Sequence, residues 1–421
     1  MHVVVLGGGS TGEHFVGALR RLDADAELTV VERRLVGGEC SYWACMPTKT
    51  MLRAPEIRAE AERSWGALDP GPLNADAVFA WRDLVAERDD SSQVEWLRTM
   101  NARLVRGDGR VVSPGVVSVG SEELAYDRLV IATGSSPFVP PVVNGLPYWT
   151  NKEATEATEV PETLLVLGGG PVGCELAQFF ARLGSRVTLV QAADRLLPRV
   201  DAEAAALVEA GLREDGVDVR LRASVSAEDL SAYERVLVAT GRRANVDGLE
   251  PLGLAITRRG IEVDERMRAA ENVWALGDVT GIAQFTHVGK YHARVAAYDM
   301  CGRDARADHR AIPATIFTDP QVATVGLLEG KIARWELTST PRLSTYERPK
   351  RPGFVKVAAD PERRILTGAV AVGPDSGEWL QQLTLAVRAE TPIDVLLDVI
   401  QPYPTFSEAV FFALRELNLD L

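Results

Sequence analysis

The stretch HVVVLGGGSTG, residues 2–12, decides the fold of this chain. Its apolar run predicts a buried strand, and its glycines predict a tight turn before a helix. Gly7, Gly9 and Gly12 have the spacing at which a turn lets a pyrophosphate approach the backbone and lets the helix pack on the strand. Glu32 lies 20 residues beyond Gly12, where an acid can accept hydrogen bonds from a ribose. The stretch therefore predicts a dinucleotide site.

The same pattern returns later in the chain, where a second apolar strand precedes the turn GGGPVG, residues 168–173. The next strand closes on Gln191, at the position where an acid is expected. Two short strands that end on Ala-Thr-Gly also recur. The duplication predicts two nucleotide sites, and the second motif and the two Ala-Thr-Gly segments supply the candidate binding residues Gly168, Gly170, Gly173, Gln191, Thr133, Gly134 and Gly241.

The composition excludes several kinds of partner. With 421 residues and a net charge of −13, the chain suits two to four domains, and nucleic acid and anionic membrane surfaces would repel it. It shows neither the apolar run of roughly 18 residues that a membrane span needs nor a signal peptide before the first strand. We therefore expect a cytoplasmic protein without a nucleic-acid or membrane partner.

Two of the four cysteines, Cys40 and Cys45, stand five positions apart. A regular helix would hold their Cα atoms about 8.6 Å apart, whereas a disulfide needs roughly 4.4–6.8 Å. A bond between them therefore requires a distorted helix start. In a reducing compartment such a pair is more typical of catalysis or metal binding than of a structural disulfide. Metal binding takes about four ligands, and no histidine or second cysteine pair lies nearby in sequence, so we expect no metal.

Together these motifs resemble the pyridine nucleotide–disulfide oxidoreductases with a Cys-x4-Cys centre, which include dihydrolipoamide dehydrogenase, glutathione reductase and mercuric reductase. The resemblance covers essentially the whole chain, including residues 38–49, 275–279 and 312–320. It implies an α/β fold with two Rossmann-like domains and a C-terminal α+β dimerisation domain. The implied domains are a split FAD domain (1–143 and 244–306), an NAD(P) domain (144–243) and a dimer-interface domain (307–421). The implied assembly is a homodimer with an active site shared between subunits.

The resemblance also implies a reaction and a role for each site residue. Electrons pass from NADH or NADPH through FAD to a Cys40–Cys45 disulfide, and to or from a small-molecule disulfide or dithiol. Cys45 is expected to face the flavin, and Cys40 to attack the substrate. The remaining expected roles are Lys49 near the flavin N5, Glu175 as its acidic partner on the nicotinamide side, Asp278 at the ribityl chain, and His287 near the flavin pyrimidine edge.

The chain departs from the family at its catalytic end, where His-Pro-Thr-x-x-Glu becomes Tyr403-Pro404-Thr405-Phe406-Ser407-Glu408. A phenol with an ordinary pKa near 10 is only about 0.1% deprotonated at neutral pH, so it is a poor base, although it can donate a proton. Either Tyr403 takes part in an altered proton transfer or it packs and closes the pocket.

Several functions stay open. The missing base leaves thioether cleavage or carbanion chemistry, and a flavin-only quinone reductase or oxidase, beside disulfide chemistry. A non-catalytic regulatory flavoprotein is a further alternative. Mercury reduction is disfavoured because the chain end lacks a second cysteine pair. Because Gln191 would not repel a 2′-phosphate, NADPH is slightly favoured over NADH.

Overall fold

The computed structural model describes residues 1–419; the last two residues of the predicted interface domain, Asp420 and Leu421, lie outside the described residues. In chain order the strands are β1 (His2–Leu6), β2 (Glu27–Glu32), β3 (Ala102–Arg106), β4 (Gly109–Ser113), β5 (Val116–Val119), β6 (Glu122–Ala125), β7 (Arg128–Ile131), β8 (Ser135–Pro137), β9 (Thr163–Leu167), β10 (Arg186–Gln191), β11 (Asp218–Leu221), β12 (Arg235–Val238), β13 (Arg242–Ala244), β14 (Arg268–Ala270), β15 (Val273–Ala275), β16 (Pro313–Ile316), β17 (Val322–Gly326), β18 (Lys331–Glu336), β19 (Phe354–Asp360) and β20 (Ile365–Val372).

The helices follow the same order. They are α1 (Ser10–Leu22), α2 (Gly38–Tyr42), α3 (Cys45–Glu62), α4 (Ala75–Ala86), α5 (Ser91–Thr99), α6 (Asn151–Glu156), α7 (Pro171–Arg182), α8 (Ala202–Glu214), α9 (Ala227–Ser231), α10 (Thr286–Met300), α11 (Pro341–Tyr346), α12 (Ser376–Trp379), α13 (Gln381–Ala389), α14 (Ile393–Asp398) and α15 (Ser407–Arg415).

The chain divides into two compact units, each built from three stretches of sequence. Unit 1 comprises Met1–Pro47, Arg82–Phe138 and Gly241–Asp308. Unit 2 comprises Thr48–Trp81, Val139–Thr240 and His309–Leu421.

Unit 1 is organised around a six-stranded sheet in the order β14-β15-β7-β1-β2-β3. Strand β1 lies inside this sheet, where it pairs in parallel with both β2 and β7. Its residues Val3 to Leu6 are therefore almost fully buried. The chain turns at Gly7, whose φ of 106° favours glycine. A Cβ on Gly12 would lie 2.0 Å from the Gly7 carbonyl oxygen, so α1 packs onto the strand end only with glycine there. Two smaller sheets, β4-β5-β6 and β13-β8, complete the unit.

Unit 2 contains two sheets of different kinds. The order β11-β10-β9-β12 is fully parallel, with β9 leading into the second glycine turn. The order β16-β17-β20-β19-β18 is fully antiparallel. The parallel sheet and α7 form an α/β layer, and the antiparallel sheet packs α13 and α15 around a second core. The predicted fold class, two Rossmann-like sheets followed by an α+β module, is confirmed.

The helix start around the cysteine pair is interrupted. The chain leaves helical geometry at Trp43, with φ −138° and ψ 1°, and Cys45 begins a new helix. Cys40 and Cys45 therefore belong to two successive helices, as a short approach of their sulfur atoms requires.

Candidate active site

The first glycine turn of unit 1 has the open backbone that a dinucleotide needs. A Cβ on Gly9 would meet only the Cα of Gly38, at 3.8 Å, so the backbone face stays accessible. No side chain caps α1 at Gly9, so the leading amides of that helix remain available as donors to an anion. Glu32 is held by two backbone amides, accepting from Gly8 at 2.8 Å and from Arg34 at 2.7 Å. These residues fit the diphosphate and ribose of FAD.

A chain of hydrogen bonds runs from Asp278 to the residue before Cys40. The Ser135 hydroxyl donates to Asp278 Oδ2 at 2.6 Å. Arg242 donates to Ser135 Oγ at 2.7 Å and to Glu39 Oε2 at 2.6 Å. Burial raises the pKa of Asp278, while Ser135 and Arg242 oppose that rise. The candidate ribityl carboxylate is thus connected to the N-terminus of α2.

The Ala-Thr-Gly segment of unit 1 is fixed by one asparagine. The Thr133 hydroxyl donates to the Asn245 carbonyl at 2.6 Å, and the Asn245 side chain donates to the Thr133 carbonyl at 2.9 Å. The Asn245 amide donates to Gly134 at 3.0 Å. A Cβ on Gly134 would meet nothing within 4 Å, so this backbone borders open space that a cofactor can use.

The two cysteines are free thiols whose side chains contact each other. Cys40 forms a side-chain hydrogen bond with Cys45, and this contact, with burial, raises the pKa of the Cys40 thiol. The Cys45 sulfur lies 3.3 Å from the Thr286 hydroxyl, at the start of α10. Cys45 is also the first residue of α3, where the helix dipole stabilises negative charge. His287, the second residue of α10, is exposed and stacks on Phe285 with ring centroids 5.2 Å apart.

The second glycine turn, in unit 2, repeats the features of the first. A Cβ on Gly173 would lie 1.9 Å from the Gly168 carbonyl oxygen, whereas a Cβ on Gly170 would meet nothing within 4 Å. Gln191 Oε1 accepts from the Gly169 amide at 3.2 Å, much as Glu32 accepts from Gly8. Gly241, which unit 1 contains, has a φ of 124° and open space where a Cβ would stand.

Lys49 and Glu175 form a close ion pair in unit 2. Lys49 Nζ lies 2.7 Å from Glu175 Oε2, and the side chains are 36% and 5% exposed. Phe317 contacts both members of the pair. Its amide donates to Glu175 Oε1 at 2.9 Å, and its ring centroid lies 4.7 Å from Lys49 Nζ. The structure therefore brings together Lys49, which was predicted to lie near the flavin N5, and Glu175, which was predicted to be its acidic partner.

The C-terminal residues Tyr403 and Glu408 have contrasting environments. Tyr403 is 72% exposed. Glu408 Oε2 is buried and has no hydrogen-bond partner among residues 1–419. A buried acceptor without a partner is costly in a finished site. The acid at 408 is thus in place to accept a hydrogen bond that the described residues do not supply.

Four residues around these sites were missed by sequence reasoning: Ser135, Arg242, Thr286 in its contact with Cys45, and Phe317. One signal was available for two of them, because Ser135 and Arg242 directly follow the two Ala-Thr-Gly segments. Ser135 begins β8 and Arg242 begins β13, and these antiparallel strands pair with Ser135 opposite Ala244 and Arg242 opposite Pro137.

Two open glycine turns, a Glu32 carboxylate held by backbone amides and a pair of contacting thiols are typical of flavoprotein oxidoreductases that use a nicotinamide coenzyme. The model for the family "Pyridine nucleotide-disulphide oxidoreductase" matches residues 1–296, and that for its dimerisation domain matches residues 312–413. The chain belongs to this family, which confirms the predicted membership. Members are enzymes that use FAD and NAD(H) or NADP(H).

Relatives extend along the whole chain. Dihydrolipoyl dehydrogenase 2 of Haloarcula marismortui is 32% identical, over 97% of this chain and 94% of its own length. Mercuric reductase of Shigella flexneri is also 32% identical, over 100% of this chain and 81% of its own length. The HOCl-induced flavoprotein disulfide reductase RclA from Escherichia coli has a TM-score of 0.86 at 25% identity, covering 99% of both chains. LpdA from Mycobacterium tuberculosis has a TM-score of 0.87 at 24% identity, with the same coverage, and shows the same fold.

Two features are absent from the described part of the chain. None of the helices within residues 1–419 has the length and apolar character that a bilayer crossing requires. In the same residues, no group of three or more histidine, cysteine or carboxylate side chains is arranged to hold a metal ion.

Proposed function

We propose that the chain is an NAD(P)H-dependent oxidoreductase that exchanges electrons with a small-molecule disulfide or dithiol through Cys40 and Cys45. The observation that carries the proposal is the contact between the two thiols, with Cys45 at the first position of a helix. When bound, FAD supplies a two-electron carrier between the nicotinamide and the disulfide. The domain boundaries, the homodimer with a shared site and the cytoplasmic location inferred from the sequence form part of the same proposal.

The surroundings of the two thiols favour different tasks. Cys45 is expected to hold negative charge, because the N-terminus of α3 and the Thr286 hydroxyl both stabilise a thiolate there. Cys40 keeps its proton to a higher pH because it hydrogen-bonds Cys45 and is partly buried. As Cys40 attacks a substrate disulfide, its proton passes to the hydrogen-bonded Cys45 thiolate, and the leaving thiolate needs a proton from a donor outside the pair.

The ion pair of Lys49 and Glu175 serves the nicotinamide side. Glu175 orients the Lys49 ammonium, and its second oxygen is already engaged by the Phe317 amide. A cation fixed in this way favours negative charge that develops on a reduced carrier. The pair is therefore assigned to electron transfer from NAD(P)H, with Glu175 positioning Lys49.

The external proton donor is assigned to Tyr403 of the partner subunit, with Glu408 as its acceptor. The unpartnered Glu408 oxygen supports this assignment. A phenol donates a proton more readily than it removes one at neutral pH. The expected direction is therefore reduction of the substrate, in which a leaving thiolate is protonated.

A second candidate is chemistry that does not need a base beside the dithiol. The high exposure of Tyr403 favours it, because no described residue orders the hydroxyl for proton transfer. Quinone reduction, oxidase activity and thioether cleavage belong to this group. A regulatory flavoprotein without turnover is the remaining alternative, and slow flavin reduction by both coenzymes would reveal it.

Anaerobic titration with NADPH or NADH tests the central proposal. Two-electron reduction should produce a long-wavelength absorbance from the Cys45 thiolate beside oxidised flavin. Cys40→Ser should show this absorbance without reduction, because Cys45 is then free of any disulfide, and Cys45→Ser should lack it in both states. Its absence in both wild type and Cys40→Ser would refute the assignment of Cys45.

A turnover screen identifies the acceptor. It should contain low-molecular-weight disulfides, quinones, activated thioethers and the ions Hg²⁺ and Cu²⁺. The ions are included because one relative is a mercuric reductase and RclA has been solved as a Cu(II) complex. Turnover that survives the double variant Cys40→Ser, Cys45→Ser would move the assignment to flavin-only chemistry.

A further inference from the structure

One face of α7 carries three polar side chains that all bind the same short segment. Glu175, Gln178 and Arg182 are spaced so that they lie along one side of the helix. Glu175 accepts from the Phe317 amide at 2.9 Å, and Gln178 accepts from the Asp319 amide at 2.8 Å and donates to its carbonyl at 3.0 Å. Arg182 Nη2 lies 2.7 Å from Asp319 Oδ2. The side chains of α7 thus hydrogen-bond the backbone of residues 317–319, as a neighbouring strand would.

The same contacts reach the Lys49–Glu175 ion pair, which is proposed to serve the nicotinamide. Phe317 supplies an amide to Glu175 and a ring to Lys49. Glu175 is almost fully buried, so little water can replace a partner that its carboxylate loses. A shift of the Phe317 backbone therefore moves Glu175, and with it the direction in which Lys49 is held.

Asp319 fixes the other end of the segment by gathering three arginines. Its carboxylate pairs with Arg182, with Arg63 at 3.1 Å and with Arg351. Burial alone would raise the pKa of Asp319, but Arg351, Arg182 and Arg63 hold it well below its usual range. Arg63 directly follows α3, the helix that carries Lys49. The cluster therefore ties α3 and α7 to one aspartate.

Helix α8 closes over the same segment. A Cβ on Gly211 would lie 2.7 Å from the Asp319 carbonyl oxygen and 3.1 Å from Pro320. Only glycine allows this approach, so the Asp319 backbone is confined between α7 and α8. This packing allows residues 317–320 only one position relative to Glu175.

We propose that Phe317–Pro320 is the positioning element of the Lys49–Glu175 pair, with Gln178 and Asp319 as positioning residues for electron transfer from NAD(P)H. The inference rests on the proposed function, which assigns the Lys49–Glu175 pair to the nicotinamide side. Asp319 and Gln178 act through the Phe317 backbone, which sets where Glu175 and Lys49 stand.

The test compares Asp319→Asn with Glu347→Gln in the holoenzyme. Glu347 is the matched control because it is a buried carboxylate in the same cluster, but its partners are Arg63 and Arg351, on neither α7 nor residues 317–320. Stopped-flow flavin reduction at saturating coenzyme should slow by at least about tenfold in Asp319→Asn, because a small misplacement of reacting groups can cost this much. In Glu347→Gln it should change by less than about threefold.

Hydrogen exchange gives a second readout that does not depend on turnover. The peptide containing the Phe317 amide should exchange faster in Asp319→Asn than in wild type, and Glu347→Gln should leave it protected. If Asp319→Asn does not fold, Arg182→Lys serves instead. A lysine keeps the charge of the cluster but cannot span Asp215 and Asp319 as Arg182 does.

Three outcomes overturn the proposal. If the folded variant, Asp319→Asn or Arg182→Lys, reduces its flavin at the wild-type rate, the segment does not position the pair. The same follows if its Phe317 amide exchanges at the wild-type rate. Equal losses in Asp319→Asn and Glu347→Gln, in step with their melting temperatures, would show a general stability effect. In each of these three cases a wild-type enzyme that NAD(P)H reduces leaves the proposed function standing, whereas a wild-type flavin that neither coenzyme reduces overturns both the proposed function and this inference.

Discussion

The Ser135 hydroxyl should contribute more to the stability of unit 1 than its neighbour on the same strand. It donates to the partly buried Asp278 carboxylate at 2.6 Å and accepts from Arg242 at 2.7 Å. A hydrogen bond to a charged group contributes about 1.5–3 kcal/mol, against about 0.5–1.5 kcal/mol for a neutral pair. Ser136 offers the neutral case, because its hydroxyl donates to the Asn245 side-chain oxygen at 2.7 Å.

The assay is thermal unfolding of the flavin-stripped protein, in which no cofactor contact contributes to Asp278. At pH 7, Ser135→Ala should lower the melting temperature of unit 1 by about 3–12 °C, and Ser136→Ala by clearly less. The pKa of Asp278 is already raised by burial, so its ionised form opposes folding and stability falls as pH rises through that pKa. Loss of the Ser135 donor raises the pKa further, so the deficit of Ser135→Ala should shrink as pH falls towards 4. Equal losses for the two serines, or a deficit independent of pH, would refute the reasoning.

The remaining predictions concern the proton path, the coenzyme and the two glycine turns. Tyr403→His should raise turnover with ordinary disulfides by at least about tenfold, since a positioned base contributes that much or more; no gain in steady-state assays would identify the pocket as the obstacle. Gln191→Glu keeps an acceptor for the Gly169 amide but adds a charge that repels a 2′-phosphate, so the kcat/KM ratio of NADPH to NADH should fall about tenfold; an unchanged ratio would exclude Gln191 from coenzyme choice. Gly12→Ala should abolish flavin incorporation, whereas Gly173→Ala should keep the flavin spectrum and lose reduction by NAD(P)H, because each Cβ would lie within 2.0 Å of a carbonyl oxygen in its own turn. Identical spectra for the two glycine variants would contradict the assignment of one turn to each cofactor.

The elements around the glycine turns could be predicted because their signals are local. An apolar run, three spaced glycines and a closing acid describe β1, α1 and β2 without any long-range information. Strand β18 was missed because it lies at a sheet edge and buries only Ala333, so its sequence lacks a strong apolar pattern. The sheet β4-β5-β6 was missed for a similar reason, since its strands are short and two of them, β4 and β6, expose much of their length.

The partners of the site residues were harder to predict than the residues themselves. Glu39 and Arg242 are 203 positions apart in sequence, and Glu175 and Phe317 are 142 apart. No periodicity reports contacts at such separations, because they arise only when the sheets are assembled. The interruption at Trp43, by contrast, agrees with the distorted helix start predicted from the cysteine spacing, because two cysteines five apart cannot bond across a regular helix.

The pairing of β8 with β13 has a consequence for how this chain can be rebuilt. The chain leaves unit 1 after Phe138 and returns at Gly241, and these two residues are joined by a hydrogen bond of 2.8 Å from amide to carbonyl. Residues 139–240 therefore start and finish side by side, which is the geometry of an inserted module. Because its ends already meet, exchanging the module opens no long loop in the host and adds little closure entropy. A segment grafted between Phe138 and Gly241 would keep this chain path, but it must also carry the α7 side chains that bind Phe317 and Asp319, because residues 139–240 share one core with the other stretches of unit 2.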